Sequence, residues 1–184
     1  MSKKILAFAG SSRKDSVNKK FVAAAAIVAE TQGASVTLID LADYGLPLYN
    51  GDLEQEGYPD NARRLKALFV DHDALLIASP EYNSSITPLL KNTIDWVSRP
   101  DPEAAEPSAP YANKTVALIA ASPGGLGGMR ALNHLRDIFY NLGCIVLPEA
   151  VAMGGAFKAF DEQGNVSDEN TLGRLDVLIE KLLT

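Results

Sequence analysis

Residues Ile5 to Asn18 read I-L-A-F-A-G-S-S-R-K-D-S-V-N. The first five form an apolar run suited to a strand buried on both faces, and Gly10 breaks it. A helical pattern follows, with Val17, Phe21, Ala24 and Val28 on one face. A strand that turns into a helix through small polar residues presents unpaired N–H groups and the positive end of the helix macrodipole, which together hold a phosphate. Ser11, Ser16 and Asn18 add short hydrogen-bonding side chains, and Arg13 adds a planar cation able to grip two phosphate oxygens at once. The turn has neither the Lys-Ser/Thr ending of a triphosphate loop nor the G-x-G-x-x-G spacing of a dinucleotide loop, so a monophosphate suits it better. The same residues also suit a plain cap, with Ser16 closing a helix over 17–32.

Outward from this turn, apolar runs at 4–9, 34–40, 73–79, 114–121 and 144–152 each have the length of a buried strand. Helical stripes separate them: Leu65, Leu68 and Phe69; Ile86, Leu90, Ile94 and Val97; Leu132, Leu135, Phe139 and Leu142. Leu172, Leu175, Ile179 and Leu182 close the chain with a fifth. Five strands alternating with five helices predict right-handed crossovers and a parallel sheet covered on both faces, a three-layer α/β sandwich. A phosphate turn after the first strand favours the flavodoxin-like order 2-1-3-4-5, in a single domain over residues 1–184.

Such sheets bind ligands beyond the carboxyl ends of their strands, so the loops after strands 1, 3 and 4 should be chemically unusual. After strand 3 stands Ser79-Pro80-Glu81-Tyr82-Asn83-Ser84-Ser85, an aromatic ring among small polar residues. After strand 4 stands Ser122-Pro123-Gly124-Gly125-Leu126-Gly127-Gly128, with four glycines in five residues. Glycine permits close backbone approach and positive φ, and four exceed what one turn needs. Two further stretches are irregular: 44–52, and 99–112 with its four prolines and three carboxylates. The second reads as a lid, a partner contact or an inert excursion.

The bulk composition narrows the function. A net charge of −6 argues against nucleic-acid or membrane-surface binding, which need a basic footprint. No run approaches the roughly 18 apolar residues of a membrane span, and M-S-K-K-I leads into a strand rather than a signal sequence, so a cytoplasmic protein is expected. The single cysteine, Cys144, sits among Gly143, Ile145 and Val146 and reads as an inert core thiol. His72 and His134 lack metal-ligand spacing and read as surface or polar-network residues.

G-S-S-R-K-D-S-V-N resembles the phosphate loop of the NADPH-dependent FMN reductase family, which includes bacterial quinone, azo and chromate reductases. S-P-E-Y-N-S-S-I-T-P-L-L-K-N-T-I-D-W is similar to that family's most specific block, and L-P-L-Y-N-G-D-L-E and S-P-G-G-L-G-G-M-R resemble further segments. The resemblance runs to about residue 152. It implies that Ser11, Arg13, Ser16 and Asn18 contact the FMN phosphate. Pro80, Glu81, Tyr82 and Asn83 would lie along the isoalloxazine ring, and Ser122, Gly124 and Gly125 at its other edge. Pro123 removes one backbone N–H from that loop.

The implied activity is an oxidoreductase in which NADPH or NADH reduces bound FMN by hydride transfer. A small-molecule acceptor then takes the electrons: a quinone, a flavin, an azo compound or a metal oxyanion. One shared ring face gives ping-pong kinetics, and no acid–base residue is required because the flavin carries the chemistry. Glu81 is expected to fix loop geometry or face solvent, and Tyr82 to shape the ring face. Lys91 and Asp95, four apart on a helix, read as a solvated or interface ion pair. The family resemblance also implies a homodimer or homotetramer, for which 99–112 and the face Arg130, His134, Asp137, Asn141 offer surfaces. The rival readings are a flavodoxin-type electron carrier without NAD(P)H activity and a flavin-free α/β scaffold.

Overall fold

The computed structural model describes residues 2–104, 109–161 and 163–184. Five strands, β1 (Lys4–Ala9), β2 (Ser35–Asp40), β3 (Ala74–Ala78), β4 (Thr115–Ala121) and β5 (Ile145–Met153), form one sheet of order β2-β1-β3-β4-β5. Every pairing is parallel. The expected order is therefore the observed one, and each strand lies within one residue of its expected bounds. The stripes land on α1 (Val17–Thr31), α3 (Asp60–Asp71), α4 (Pro88–Ser98), α5 (Met129–Asn141) and α6 (Glu169–Leu183), except that Ile86 precedes α4 and Leu142 caps the end of α5.

A short α2 (Gly51–Glu56) is additional, in the stretch the sequence leaves irregular. It buries none of its residues, so it has no apolar stripe to read. It is held at its start by Asn50, whose side chain accepts from the Asp52 N–H at 2.9 Å.

Alternation along the strands divides the core in two. Ile5, Ala7, Leu76, Ala78, Ile119 and Ala121 meet α1 and α6. Leu6, Phe8, Leu75, Ile77, Leu118 and Ala120 meet α3, α4 and α5. Phe8 and Phe69 are fully buried with ring centroids 5.5 Å apart, and burial of each such side chain stabilises the fold by about 1.5–3 kcal/mol.

A third cluster lies outside the sheet, where Trp96 is wholly buried against Tyr58 and Ala62. Trp96 Nε1 and Asn92 Nδ2, four residues apart on α4, both donate to the Pro47 carbonyl at 2.8 Å. The Tyr49 N–H donates back to Asn92 Oδ1 at 2.7 Å. This contact joins two of the segments that carry the family resemblance, L-P-L-Y and K-N-T-I-D-W. Because the strands are parallel, their carboxyl ends all open onto one edge of the sheet.

Candidate functional site

Three loops meet at that edge, and each is fastened to another. After β1, the Gly10 N–H donates to the Ala78 carbonyl at 2.8 Å and the Gly10 carbonyl accepts from Thr87 Oγ1 at 2.6 Å. A side chain on Gly10 would place its Cβ 3.0 Å from Leu90, so α4 is seated directly on it. Ser16 caps α1 through its Oγ, 3.3 Å from the Asn18 N–H, and Ser11 Oγ accepts from the Arg13 N–H at the same distance. Asn18 is buried beneath the loop. Its Nδ2 donates to the Ala121 carbonyl at 2.8 Å and its Oδ1 accepts from the Ala121 N–H at 2.9 Å, which ties the first turn of α1 to the end of β4. Arg13 is exposed and has no ion-pair partner among the described residues.

After β3, Ser79 and Pro80 are buried and the chain emerges at Glu81. The Glu81 carboxylate accepts from the backbone N–H groups of Arg130 at 3.1 Å and Ala131 at 3.4 Å, and from Arg130 Nε at 2.6 Å. It thus caps α5, whose own cap residue Gly128 offers no side chain. Burial pushes the Glu81 carboxyl up, but the hydrogen bonds and charge of Arg130 and the Ala131 N–H outweigh it and hold it below its usual value. Of the two sequence readings, loop geometry and solvent, these contacts select the first.

Tyr82 and Ser85 exchange backbone bonds of 2.9 and 3.0 Å around a two-residue turn. The turn residues Asn83 and Ser84 are left-handed, at φ 49° and 67°. Tyr82 stands half-exposed beside this turn, and Ser85 Oγ lies 2.9 Å from His134 Nδ1.

After β4, the four glycines divide into two pairs. Gly127 and Gly128 have positive φ, and a Cβ on either would come within 2.8 Å of Met153, Ala152 or Ala120. Those two are demanded by the turn into α5. Gly124 and Gly125 are exposed, without positive φ. A Cβ would meet nothing closer than 3.8 Å at Gly124 and nothing within 4 Å at Gly125. The fold itself gives no reason for them. Ser122 links the loop to β5, its N–H donating to Met153 and its carbonyl accepting from Ala156.

The sequence profile described as NADPH-dependent FMN reductase matches residues 3–158. An NAD(P)H-dependent FMN reductase of Pseudomonas aeruginosa is 39% identical over 90% of this chain and 85% of its own length. A quinone reductase of Pseudomonas putida is 36% identical over 87% and 82%. Among solved structures, the flavoenzyme NAD(P)H:(acceptor) oxidoreductase FerB of Paracoccus denitrificans superposes with a TM-score of 0.81 at 31% identity, covering 98% of this chain and 95% of that one.

The chain belongs to the NADPH-dependent FMN reductase family. The segments G-S-S-R-K-D-S-V-N and S-P-E-Y-N are brought together through Thr87 Oγ1 on the Gly10 carbonyl. Thr87 was not singled out in the sequence, although Thr-Pro before a helical stripe is a capping signal. Gly154 was also missed. A Cβ there would lie 2.8 Å from the Gly125 carbonyl, so the β5 exit supports the glycine loop from below. Its signal was the Gly-Gly pair directly after the fifth apolar run.

Other sequence readings find definite places. Lys91 and Asp95 form their surface pair at 2.7 Å. Cys144 is buried, its thiol pushed up to about 12 by burial. His72 is buried in a polar network, 2.7 Å from both the Leu68 carbonyl and Thr37 Oγ1. On the α5 face offered as a contact surface, Arg130 and His134 bond within the chain to Glu81 and Ser85. In the Pro-rich loop, Asp101 pairs with Arg63 of α3 at 2.8 Å and Tyr111 is buried, while residues 105–108 lie outside the described residues.

Proposed function

We propose that the three loops hold FMN and that the protein uses NADPH or NADH to reduce quinone-type small molecules through it. The observation that carries this reading is the bare backbone of Gly124 and Gly125. These two positions face open space, and the turn that runs through them, closed by the Gly127 N–H on the Gly124 carbonyl at 3.1 Å, needs a glycine at neither, so their bareness suits a surface that receives a flat ring. The donor set suits the rest of the cofactor. The first turn of α1 offers backbone N–H groups, and Arg13 stands beside it as a cation without an ion-pair partner among the described residues.

On this reading Ser11 and Ser16 shape the phosphate cradle, and Asn18 holds it against the end of β4. Pro80, Glu81, Tyr82 and Asn83 line one side of the ring and Ser122, Gly124 and Gly125 the other. Bound FMN supplies the hydride chemistry, so the protein's part is to bind, orient and leave one face open. Glu81 holds no proton for the reaction, since its carboxylate is engaged by α5. Backbone N–H groups of the two later loops favour negative charge at the ring.

Tyr82, Leu126 and Met129 are about half-exposed at the rim and suit an apolar acceptor or a second subunit. The names of the relatives support quinones as acceptors. No helix among the described residues is long and apolar enough to cross a membrane. The reading includes a ping-pong order, a cytoplasmic location and a homodimer or homotetramer.

Anaerobic mixing of FMN-loaded protein with NADPH, and separately NADH, tests it. Rapid two-electron bleaching, reversed by benzoquinone, with parallel double-reciprocal lines in steady state, is the expected result. A bound-flavin spectrum that neither nucleotide changes would mark an electron carrier instead.

A further inference from the structure

Helix α5 reaches the Tyr82 turn at two points one helical turn apart. Before the turn, Arg130 and the Ala131 N–H hold the Glu81 carboxylate; after it, His134 Nδ1 lies 2.9 Å from Ser85 Oγ. Residues four apart share a helix face, so Arg130 and His134 bracket Tyr82, Asn83 and Ser84 from one side. The bracketed segment needs holding, because left-handed φ at two successive non-glycine residues is a conformation that the surrounding structure must impose. Among the described residues, Tyr82 is hydrogen-bonded only through its backbone, to Ser85. The direction in which its side chain leaves the backbone therefore follows the turn.

We infer that His134 is a positioning residue, which acts through Ser85 to hold the Tyr82 ring over the cofactor loops and so sets how the acceptor docks. The inference rests on the FMN reading of those loops. A serine hydroxyl both donates and accepts, so the bond survives in either imidazole tautomer and in the imidazolium. His134 shares its cleft with Lys91, Asp137 and Thr87, and Arg130 lies one turn before it. The part assigned to it is geometric and needs no proton transfer, so an amide that can replace Nδ1 should serve as well.

The test uses FMN-loaded wild type, His134→Ala, Ser85→Ala, the double variant and His134→Asn, with bound-FMN fluorescence and benzoquinone kinetics as readouts. Each single alanine variant should raise KM for the quinone about threefold to tenfold, the worth of one hydrogen bond, with kcat little changed. Bound-FMN fluorescence should rise as the tyrosine ring loses its fixed pose. The double variant should match a single one, since both remove the same bond. His134→Asn should restore KM and fluorescence and keep the wild-type pH profile. Multiplying effects in the double variant, unchanged KM and fluorescence in the single ones, or no restoration by asparagine overturns the positioning role while wild type still binds FMN. Wild type that fails to bind FMN overturns the reading beneath it as well.

Discussion

Arg13 and Glu81 stand on neighbouring loops with opposite charges, and only one of those charges is free. Arg13 is exposed and unpaired among the described residues, so its guanidinium supports nothing in the fold. Arg13→Ala should leave the unfolding temperature unchanged and weaken FMN binding by about 1.5–3 kcal/mol, the scale of a charge-assisted hydrogen bond, read by flavin-fluorescence titration. Glu81 is committed to α5. Its folded pKa lies below the usual 4.5, so the stability it adds is present above that value and lost as pH falls through the folded pKa. Glu81→Gln should therefore be less stable than wild type at pH 7 by about 1–2 kcal/mol. The gap should close in urea titrations run at pH values progressively below 4.5.

Among the elements, α4 does the most to join the segments of the site. Its start places Thr87 on Gly10, and its middle places Asn92 and Trp96 on Pro47. Asn92→Ala removes the acceptor for the Tyr49 N–H and one of two donors to Pro47. Hydrogen exchange should then show the Tyr49 amide losing protection while the β1 and β3 amides keep theirs. Strands β1, β3 and β4 were legible because both of their faces are buried, which makes each a continuous apolar run; the edge strands β2 and β5 are only partly buried and were legible from their β-branched residues. The helices that cover them were legible because each buries one face. Helix α2 was not, since it fully buries no residue and packs only Leu53 against the Trp96 cluster. Nor was the part played by Asn18, whose partner Ala121 lies 103 residues away, or the capping of α5 by Glu81 across 49. Spacing within a sequence carries no trace of such contacts. The glycines show the same divide: their number was readable, but which pair the turn demands became clear only from the approach of Met153 and Ala120.

In the whole molecule, the three loops form one cross-linked rim. Asn18 ties the first loop to β4, Thr87 ties it to α4, Glu81 ties the second loop to α5, and Gly154 supports the third. Such a rim is organised before any ligand arrives, and preorganisation lowers the cost of binding. Its most open side-chain positions are Gly124 and Gly125, which makes them the place to separate ligand binding from folding. The deciding measurement is the dissociation constant of FMN for Gly125→Val beside wild type, by isothermal titration, with the unfolding temperature of each apoprotein recorded. An unchanged unfolding temperature with FMN binding weakened by tenfold or more, about 1.4 kcal/mol, is the predicted result. A variant that folds like wild type and binds FMN equally well would contradict the assignment of this edge of the sheet as the flavin site.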